Sequence, residues 1–439
     1  MPRNDVMKRV LIISPHFPPV NAPDMQRVRV SLPGFVEGGW AVTVLTVDDP
    51  TPTAPIEPEL NATVPAGVQV ERAYCFSRQW TAWFGVNNVA LRSLPFLFFR
   101  GYRLLLSRRY DVVYFSTTMF IVLPFGRLWK ILCGVPYVID LQDPWISDFY
   151  ERPGAPRPPG GWKYRVAQGL GRSLEGWTMR GVSRLIVVSS VYADSLRARY
   201  AGLQNLRATE LPFGSPDSDL RHLRATMESR RPILPTGELR LVFAGALGPG
   251  MLVAVEVLFA AMAEARQAGL AVSAHFFGTS YSPNSQGRPV TLELATKHGL
   301  QSCVHEQPNR LRYFDALQVT LEGEANLLLG STDLAFTPSK ILMVLAAGKP
   351  VLALAPTGSA MVQRLTQLGQ NCLSFPTGGR DKPSVASVAA QLRAIARHQV
   401  APPDVTRLEV YGARALAGRQ MEIFTAVAQS SQHHGRPAV

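Results

Sequence analysis

The chain has 439 residues, of which 46% are hydrophobic and 18% charged, with a formal net charge of +13. Length and composition require two to three buried cores of ordinary domain size, and they exclude a disordered or fibrous chain. The basic excess favours anionic partners, whether small phosphates, an anionic membrane surface or nucleic acid, and its sign alone does not choose among them.

The amino end, MPRNDVMKRVLIISP, carries Asp5 and runs straight into an apolar strand, so the layout of a secretory signal is missing and a cytoplasmic location is expected. Cys75, Cys133, Cys303 and Cys372 lack paired spacing and read as reduced core thiols rather than zinc ligands or disulfides. The most membrane-like stretch, residues 241–263, is broken by Gly245, Gly248, Pro249, Gly250 and Glu256, which fits a strand, a tight loop and a helix better than a span.

In chain order, β-branched runs begin at Val10 (VLIIS), Val42 (VTVLTV), Asp111 (DVVYFS), Tyr137 (YVIDL) and Arg184 (RLIVVSS), each separated by a helical stretch. Apolar runs without alternation are the mark of parallel strands covered on both faces. Residues 78–109 mix Trp80, Trp83, Phe96, Phe98 and Phe99 with six arginines. Two readings stay open there, a helix lying at a lipid interface and a partly buried helix packed on the sheet. A polar, proline-punctuated stretch follows Gly214, and a second alternating series starts at Leu239 (LRLVFAG), Val272 (VSAHFFG), Ala325 (ANLLLGS) and Pro350 (PVLALA). The expected organisation is an α/β chain with two Rossmann-like parallel-sheet domains, 1–225 and 239–404, joined by a linker at 226–238. A C-terminal helix at 405–430, able to pack back onto the first domain, and a disordered tail at 431–439 complete it.

Ligands of open parallel sheets bind beyond the carboxyl ends of the strands, so the loops there carry the chemistry. The first reads SPHFPPVNAPDMQRVR, with His16 and Arg27. The segment PYVIDLQDPW places Asp140 at a strand end and Asp143 in the loop, where a carboxylate can orient a hydroxyl or accept its proton, or else cap a turn. The Pro/Gly-rich stretch at 150–163 fits a mobile acceptor loop. In TPSKILMVLAAGKPVLALAPTGSAM, residues 337–361, Pro338, Ser339 and Lys340 open a short apolar helix. Ser339 is expected to cap it, and Lys340 to add a full charge to a helix start that favours anions. VFAGALGPG brings Gly245 to the end of the first strand of the second domain, and VHEQPNRLRYF supplies Gln307 and Arg310 in a loop. Glu322 and Glu324 read as solvated helix-end charges, and Asp217 and Asp219 as helix-start residues rather than a metal pair.

These segments resemble the GT-B glycosyltransferases of family four, the bacterial group 1 enzymes. The FPP turn with Arg27 beyond it, the DLQDPW run and above all PSKILMVLAAGKPVLA carry the resemblance, with Gln142 where the family has arginine and Met343 where it has the glutamate that holds the donor ribose. The paired glycines after the prolines are replaced by Val20, Asn21 and Ala22, and the lysine following the glycine loop of the second domain is missing. The resemblance implies a GT-B fold whose two domains face across a cleft, and transfer of sugar from a nucleotide-sugar donor to a glycan or lipid-linked acceptor with retention and without a metal or cofactor. It implies acceptor-side roles for Asp143, His16 and Asp140, and donor-side roles for Ser339, Lys340, Pro338, Gly245, Arg27, Arg310 and Gln307. Peripheral contact with the inner face of a membrane through 78–109 is expected, and nucleic acid is not. Met343 leaves three readings open: a ribose held differently, an unusual donor, or a catalytically inactive GT-B protein serving as partner or scaffold for another transferase.

Overall fold

Seven parallel strands form the sheet of the first of two units in this computed structural model, which describes residues 7–84, 86–146, 162–280, 288–378 and 381–433. The acceptor loop expected at 150–163 falls almost wholly outside those residues, as does the expected tail from 434 onward. The first unit comprises the chain up to Gly214 and again from Ala413, and the second runs from Ser215 to Gly412.

In the first unit the strands are β1 (Arg9–Ile13), β2 (Ala41–Asp48), β3 (Gln69–Tyr74), β4 (Val112–Ser116), β5 (Tyr137–Leu141), β6 (Arg184–Val187) and β7 (Ala208–Glu210), in the order β3-β2-β1-β4-β5-β6-β7. The register sets Ile13 against Leu45 and Phe115, and Ser116 against Asp140, so the ends of β1, β4 and β5 lie side by side. Helices α1 (Gln26–Glu37), α2 (Arg78–Thr81), α3 (Val89–Ser107), α4 (Pro124–Cys133), α5 (Trp162–Met179) and α6 (Ser190–Arg199) connect them. One face of the sheet packs Leu11, Val113 and Ile139 against Leu97 and Trp129. The other packs Val10, Val44 and Tyr114 against Val28, Leu32 and Phe424 of the C-terminal helix Ala413–His433. That helix crosses α1 at small residues: a side chain at Gly34 would run into Ala417, and one at Gly38 into Met421. Such close approach is what glycine in a helix interior permits.

The second unit has a six-stranded parallel sheet, β8 (Leu239–Ala244), β9 (Val272–Phe277), β10 (Val304–Gln307), β11 (Ala325–Leu329), β12 (Val351–Pro356) and β13 (Leu373–Phe375), in the order β10-β9-β8-β11-β12-β13. Its helices are α7 (Asp217–Thr226), α8 (Leu252–Gln267), α9 (Leu292–Lys297), α10 (Tyr313–Glu322), α11 (Ile341–Ala346), α12 (Ala360–Gln367) and α13 (Lys382–Ala396). Leu241, Phe243, Phe276 and Leu327 pack with α8 residues Leu258 and Met262 and with Leu392 of α13 in its main core. The fold class expected from the sequence, two Rossmann-like parallel sheets with covering helices, is the one found.

The boundary between the units differs from the sequence expectation. Residues 226–238 are not a free linker but part of the second unit, bonded to α10. Arg230 donates to Gln318 Oε1 at 2.6 Å and Asp315 Oδ1 at 3.0 Å, while the amides of Ile233 and Leu234 donate to the Glu322 carboxylate. Glu322 is therefore a backbone-binding group and not a solvated helix end, because two otherwise unpaired amides of an extended segment need an acceptor there. Glu324 is likewise engaged, pairing with Arg240 at 2.5 Å.

Candidate functional site

The loop after β1 turns its polar groups inward. Arg27, near the start of α1, is buried, and its Nε lies 2.9 Å from Asp140 Oδ2. Its other two nitrogens donate to the carbonyls of Leu211 and Pro212, at 3.0 and 3.1 Å, and its guanidinium stacks 4.8 Å from the Phe213 ring centre. Asp140 is wholly buried at the end of β5 and also accepts from Ser116 Oγ at 2.7 Å and Tyr114 OH at 3.1 Å. Burial pushes the Asp140 carboxyl above its ordinary range, against the opposing pull of Arg27, Ser116 and Tyr114. Arg27 and Asp140 thus neutralise each other inside the fold. This corrects the donor-phosphate role expected for Arg27 and the acceptor role expected for Asp140, since neither charge is accessible to a ligand.

His16 and Asp143 are placed differently. The His16 side chain is 13% exposed, and its Nδ1 lies 2.9 Å from Oδ1 of the buried Asp24. Asp24 Oδ2 accepts from Thr117 Oγ1 at 2.7 Å, and its carbonyl accepts from Gln142 Nε2 at 2.9 Å. Gln142, at the family's arginine position, also donates to Ser116 Oγ at 2.9 Å, so hydrogen bonds join the loops after β1, β4 and β5. Asp143 is exposed, yet enough protein surrounds its carboxyl for desolvation to raise its pKa, and burial together with the Asp143 charge raises that of Tyr192. Asp24 and Thr117 escaped sequence reasoning. An aspartate in an Ala-Pro-Asp turn reads as an ordinary turn residue, and Thr117 meets it only because β1 and β4 are neighbours in the sheet.

In the second unit the helix expected to start at Pro338-Ser339 begins instead at Ile341, with Lys340 at the N-cap and no side-chain cap bond. Ser339 is exposed and its hydroxyl bonds to no described residue, while the Pro338 carbonyl accepts the Ile341 amide at 3.3 Å. A six-residue helix carries only a short dipole, so positive potential here rests on side chains. Lys340 Nζ donates to the Ala244 carbonyl, at the end of β8, at 2.7 Å. A side chain at Gly245 would come within 3.2 Å of that ammonium. The Gly245 amide itself donates to Phe277 O at 2.8 Å, so this glycine makes room for the lysine rather than offering its N–H to a donor. Much of Lys340 is open to solvent, but the protein around its ammonium and the like charge of Arg310 lower its pKa to about 8. Arg310 is exposed, as is the Gln307 side chain, and the Gln307 carbonyl accepts the Gly278 amide at 2.9 Å. The Gly-Lys-Pro turn after α11 is held by Gly348, whose φ of 69° suits glycine, and by Arg224 donating to the carbonyls of Ala346 and Ala347. Met343 is half-buried on α11. Asp217 and Asp219 open α7 and accept from Ser215 Oγ and Tyr313 OH respectively.

Residues 26–214 match the family model described as a glycosyl transferase 4-like domain. That match assigns this part of the chain to a glycosyltransferase domain family. Solved structures similar to this chain share its fold over nearly its whole length. Sucrose-phosphate synthase from Thermosynechococcus elongatus is 15% identical with a TM-score of 0.58, covering 96% of this chain and 100% of that one. HepE from Anabaena, in complex with UDP, is 14% identical with a TM-score of 0.54, covering 96% and 100%. A UDP-forming α,α-trehalose-phosphate synthase from Burkholderia vietnamiensis is 10% identical with a TM-score of 0.58, covering 97% and 99%. The chain therefore has the GT-B architecture of two parallel-sheet domains. No curated protein matches its sequence.

Proposed function

We propose that this chain is a glycosyltransferase that takes a sugar from a UDP-linked donor, bound by the second unit, and transfers it with retention and without a metal to a glycan or lipid-linked acceptor. The observation that carries the donor site is the pairing of Lys340 and Arg310 beside the ends of β8 and β9. Lys340 Nζ sits on the Ala244 carbonyl at the end of β8 and Arg310 packs beside Gly278 at the end of β9; burial and the like charge of Arg310 both disfavour the charged lysine, a cost that a diphosphate beside the two cations offsets. UDP, named with HepE and with the trehalose-phosphate synthase, supports a uridine donor. On the acceptor side His16 and Asp143 orient the hydroxyl. The acceptor oxygen bonds to the anomeric carbon on the face from which the diphosphate departs, the electron pair of the broken bond leaves with UDP, and the hydroxyl proton passes to the departing diphosphate oxygen, so the configuration is retained.

A lipid-linked acceptor is supported by the surface of α2 and α3. Trp80 and Trp83 are 79% and 91% exposed. On α3, Leu91, Phe99 and Leu106 are exposed and, at spacings of eight and seven residues, share one stripe beside the exposed Arg103. Arg92 does not join that surface; it is buried and bound to Asp49, and Arg100 pairs with Glu71. Aromatic and aliphatic side chains next to unneutralised arginines suit an anionic lipid interface. Among the described residues no helix is long and apolar enough to cross a membrane.

A thermal-shift screen of nucleotides and nucleotide sugars tests the reading. UDP and at least one UDP-sugar should raise the melting temperature at saturating concentration, an effect that Lys340→Ala reduces. If no nucleotide sugar shifts the melting temperature while a second transferase copurifies, the chain is an inactive partner of that enzyme and the proposal is wrong.

A further inference from the structure

We infer that Asp333 is the carboxylate that binds a vicinal diol of the nucleotide-sugar donor, a role that rests on the second unit seating that donor. In the order β10-β9-β8-β11-β12-β13 the chain works outward from β8 to β10 and then returns to the other side of β8, so the crevice that such sheets offer a ligand lies between β8 and β11. The loops after these two strands meet there. The Thr332 amide donates to the Gly250 carbonyl at 3.0 Å, and Lys340 Nζ donates to the Ala244 carbonyl at 2.7 Å. A side chain at Gly250 would run into Ser331 Oγ, so glycine is what lets the two loops close on each other.

A nucleotide sugar brings a diphosphate and, on its ribose and its transferred sugar, hydroxyls that need acceptors. Lys340 and Arg310 suit the diphosphate, but neither side chain can accept a hydrogen bond. On α11 every side chain except that of Met343 is buried, and methionine offers no oxygen. The segments that follow the six strands at their carboxyl ends, 245–251, 278–291, 308–312, 330–340, 357–359 and 376–381, contain two acidic residues, Asp333 and Asp381. Asp381, beyond the edge strand β13, caps α13 through the Ser384 amide at 2.8 Å. Glu306, within β10, is filled by the amides of Val290 and Thr291 and the hydroxyls of Thr279 and Thr291. Asp333 is different: it is exposed, forms no ion pair among the described residues, and its Oδ2 has no hydrogen-bond partner among them.

The backbone on both sides holds this carboxylate in place. Oδ1 accepts the Ala335 amide at 3.1 Å, the Asp333 amide donates to Ser331 Oγ at 3.2 Å, and the Asp333 carbonyl accepts the Phe336 amide at 3.0 Å. The next carbonyl, that of Leu334, accepts the Ala360 amide at 2.7 Å. One oxygen is thus spent on the turn and the other is left for a ligand. A carboxylate beside a diphosphate repels it, so Asp333 weakens the binding of UDP unless hydroxyls of the donor bond to it.

Calorimetry of the whole chain, wild type and Asp333→Asn, with UDP, 2′-deoxy-UDP and the UDP-sugar found in the screen decides the matter. Asparagine keeps the turn, because its amide oxygen still accepts from Ala335, and it turns an NH2 group outward where the hydroxyls need an acceptor. With the ribose diol on Asp333, the variant should bind UDP roughly 10- to 100-fold more weakly than wild type, and the wild-type preference for UDP over 2′-deoxy-UDP should largely vanish in it. If UDP binds both proteins alike and only the UDP-sugar weakens, the diol is that of the transferred sugar, and Asp333 selects the sugar rather than the nucleotide. Unchanged or tighter binding of both UDP and the UDP-sugar by Asp333→Asn overturns the assignment, since removing the charge would then relieve repulsion and cost no contact. An equal loss for UDP and 2′-deoxy-UDP, with the wild-type preference intact, marks a turn residue and overturns it as well. A wild type that binds neither UDP nor any UDP-sugar sinks the donor reading itself, and the role of Asp333 with it.

Discussion

The loops at the strand ends of the two units treat charge in opposite ways. In the first unit Arg27, Asp140, Asp24 and His16 are drawn into one hydrogen-bonded network, and opposite charges lie 2.9 Å apart in the interior. In the second, Lys340 and Arg310 are left with like charge facing like, partly open to solvent and without a carboxylate bound to either among the described residues. A neutralised network fixes geometry, whereas uncompensated positive charge stores binding energy for an anion. In the proposed function the first arrangement holds the acceptor side rigid and the second seats the donor diphosphate.

The largest effect on folding is expected from breaking the buried pair. Arg27→Met strands the Asp140 carboxylate in the interior and should cost about 3–5 kcal/mol, read as a lower denaturation midpoint, while Arg27→Met with Asp140→Leu should recover much of it. A loss below about 1 kcal/mol for the single change would show that the pair is not the anchor described. In the second unit Lys340→Ala should leave stability nearly unchanged but weaken UDP binding by roughly 10- to 100-fold in calorimetry, the worth of one charge-assisted hydrogen bond. If instead stability falls and affinity holds, the lysine is a strand cap through Ala244 and nothing more.

A smaller effect sharpens the same comparison through pH. The depressed Lys340 pKa of about 8 means that its ammonium loses its charge as pH rises through that value, so UDP affinity should fall by about tenfold between pH 7 and pH 9. Bound diphosphate favours the charged form, so binding above pH 8 should take up a proton, and Lys340→Arg should flatten the profile. The smallest change in stability is expected at the surface. Trp80→Ser with Trp83→Ser should shift it by no more than about 0.5 kcal/mol per site. Sedimentation with vesicles containing anionic phospholipid should nevertheless drop, and equal binding by wild type and variant would remove the case for this lipid contact.

The strands missed from the sequence are the edges of the sheets. β1, β2, β4, β5 and β6 in the first unit and β8, β9, β11 and β12 in the second were legible as apolar runs, because central parallel strands are buried on both faces. β3 (QVERAY), β7 (ATE), β10 (VHEQ) and β13 (LSF) lie at the margins, where one side of the strand has no partner and polar or short sequences are tolerated. The PSK segment was legible as a place where charge gathers, but not as a helix start one residue further on. Whether Ser339 caps depends on backbone angles that the residue types permit without imposing.

From residue order alone came the alternation that makes two parallel sheets and the assignment of His16 and Asp143 in the first unit, and of Lys340 and Arg310 in the second, to strand-end loops, since local hydrophobic pattern dictates which segments are buried strands and therefore where their ends lie. Tertiary structure decided which charges are hidden and which remain available. Arg27 and Asp140 are 113 residues apart, and only the adjacency of β1, β4 and β5 brings them within 2.9 Å. Desolvation and pairing act through space, so a buried ion pair and an exposed cation can be written with the same residues and told apart only once the chain has folded.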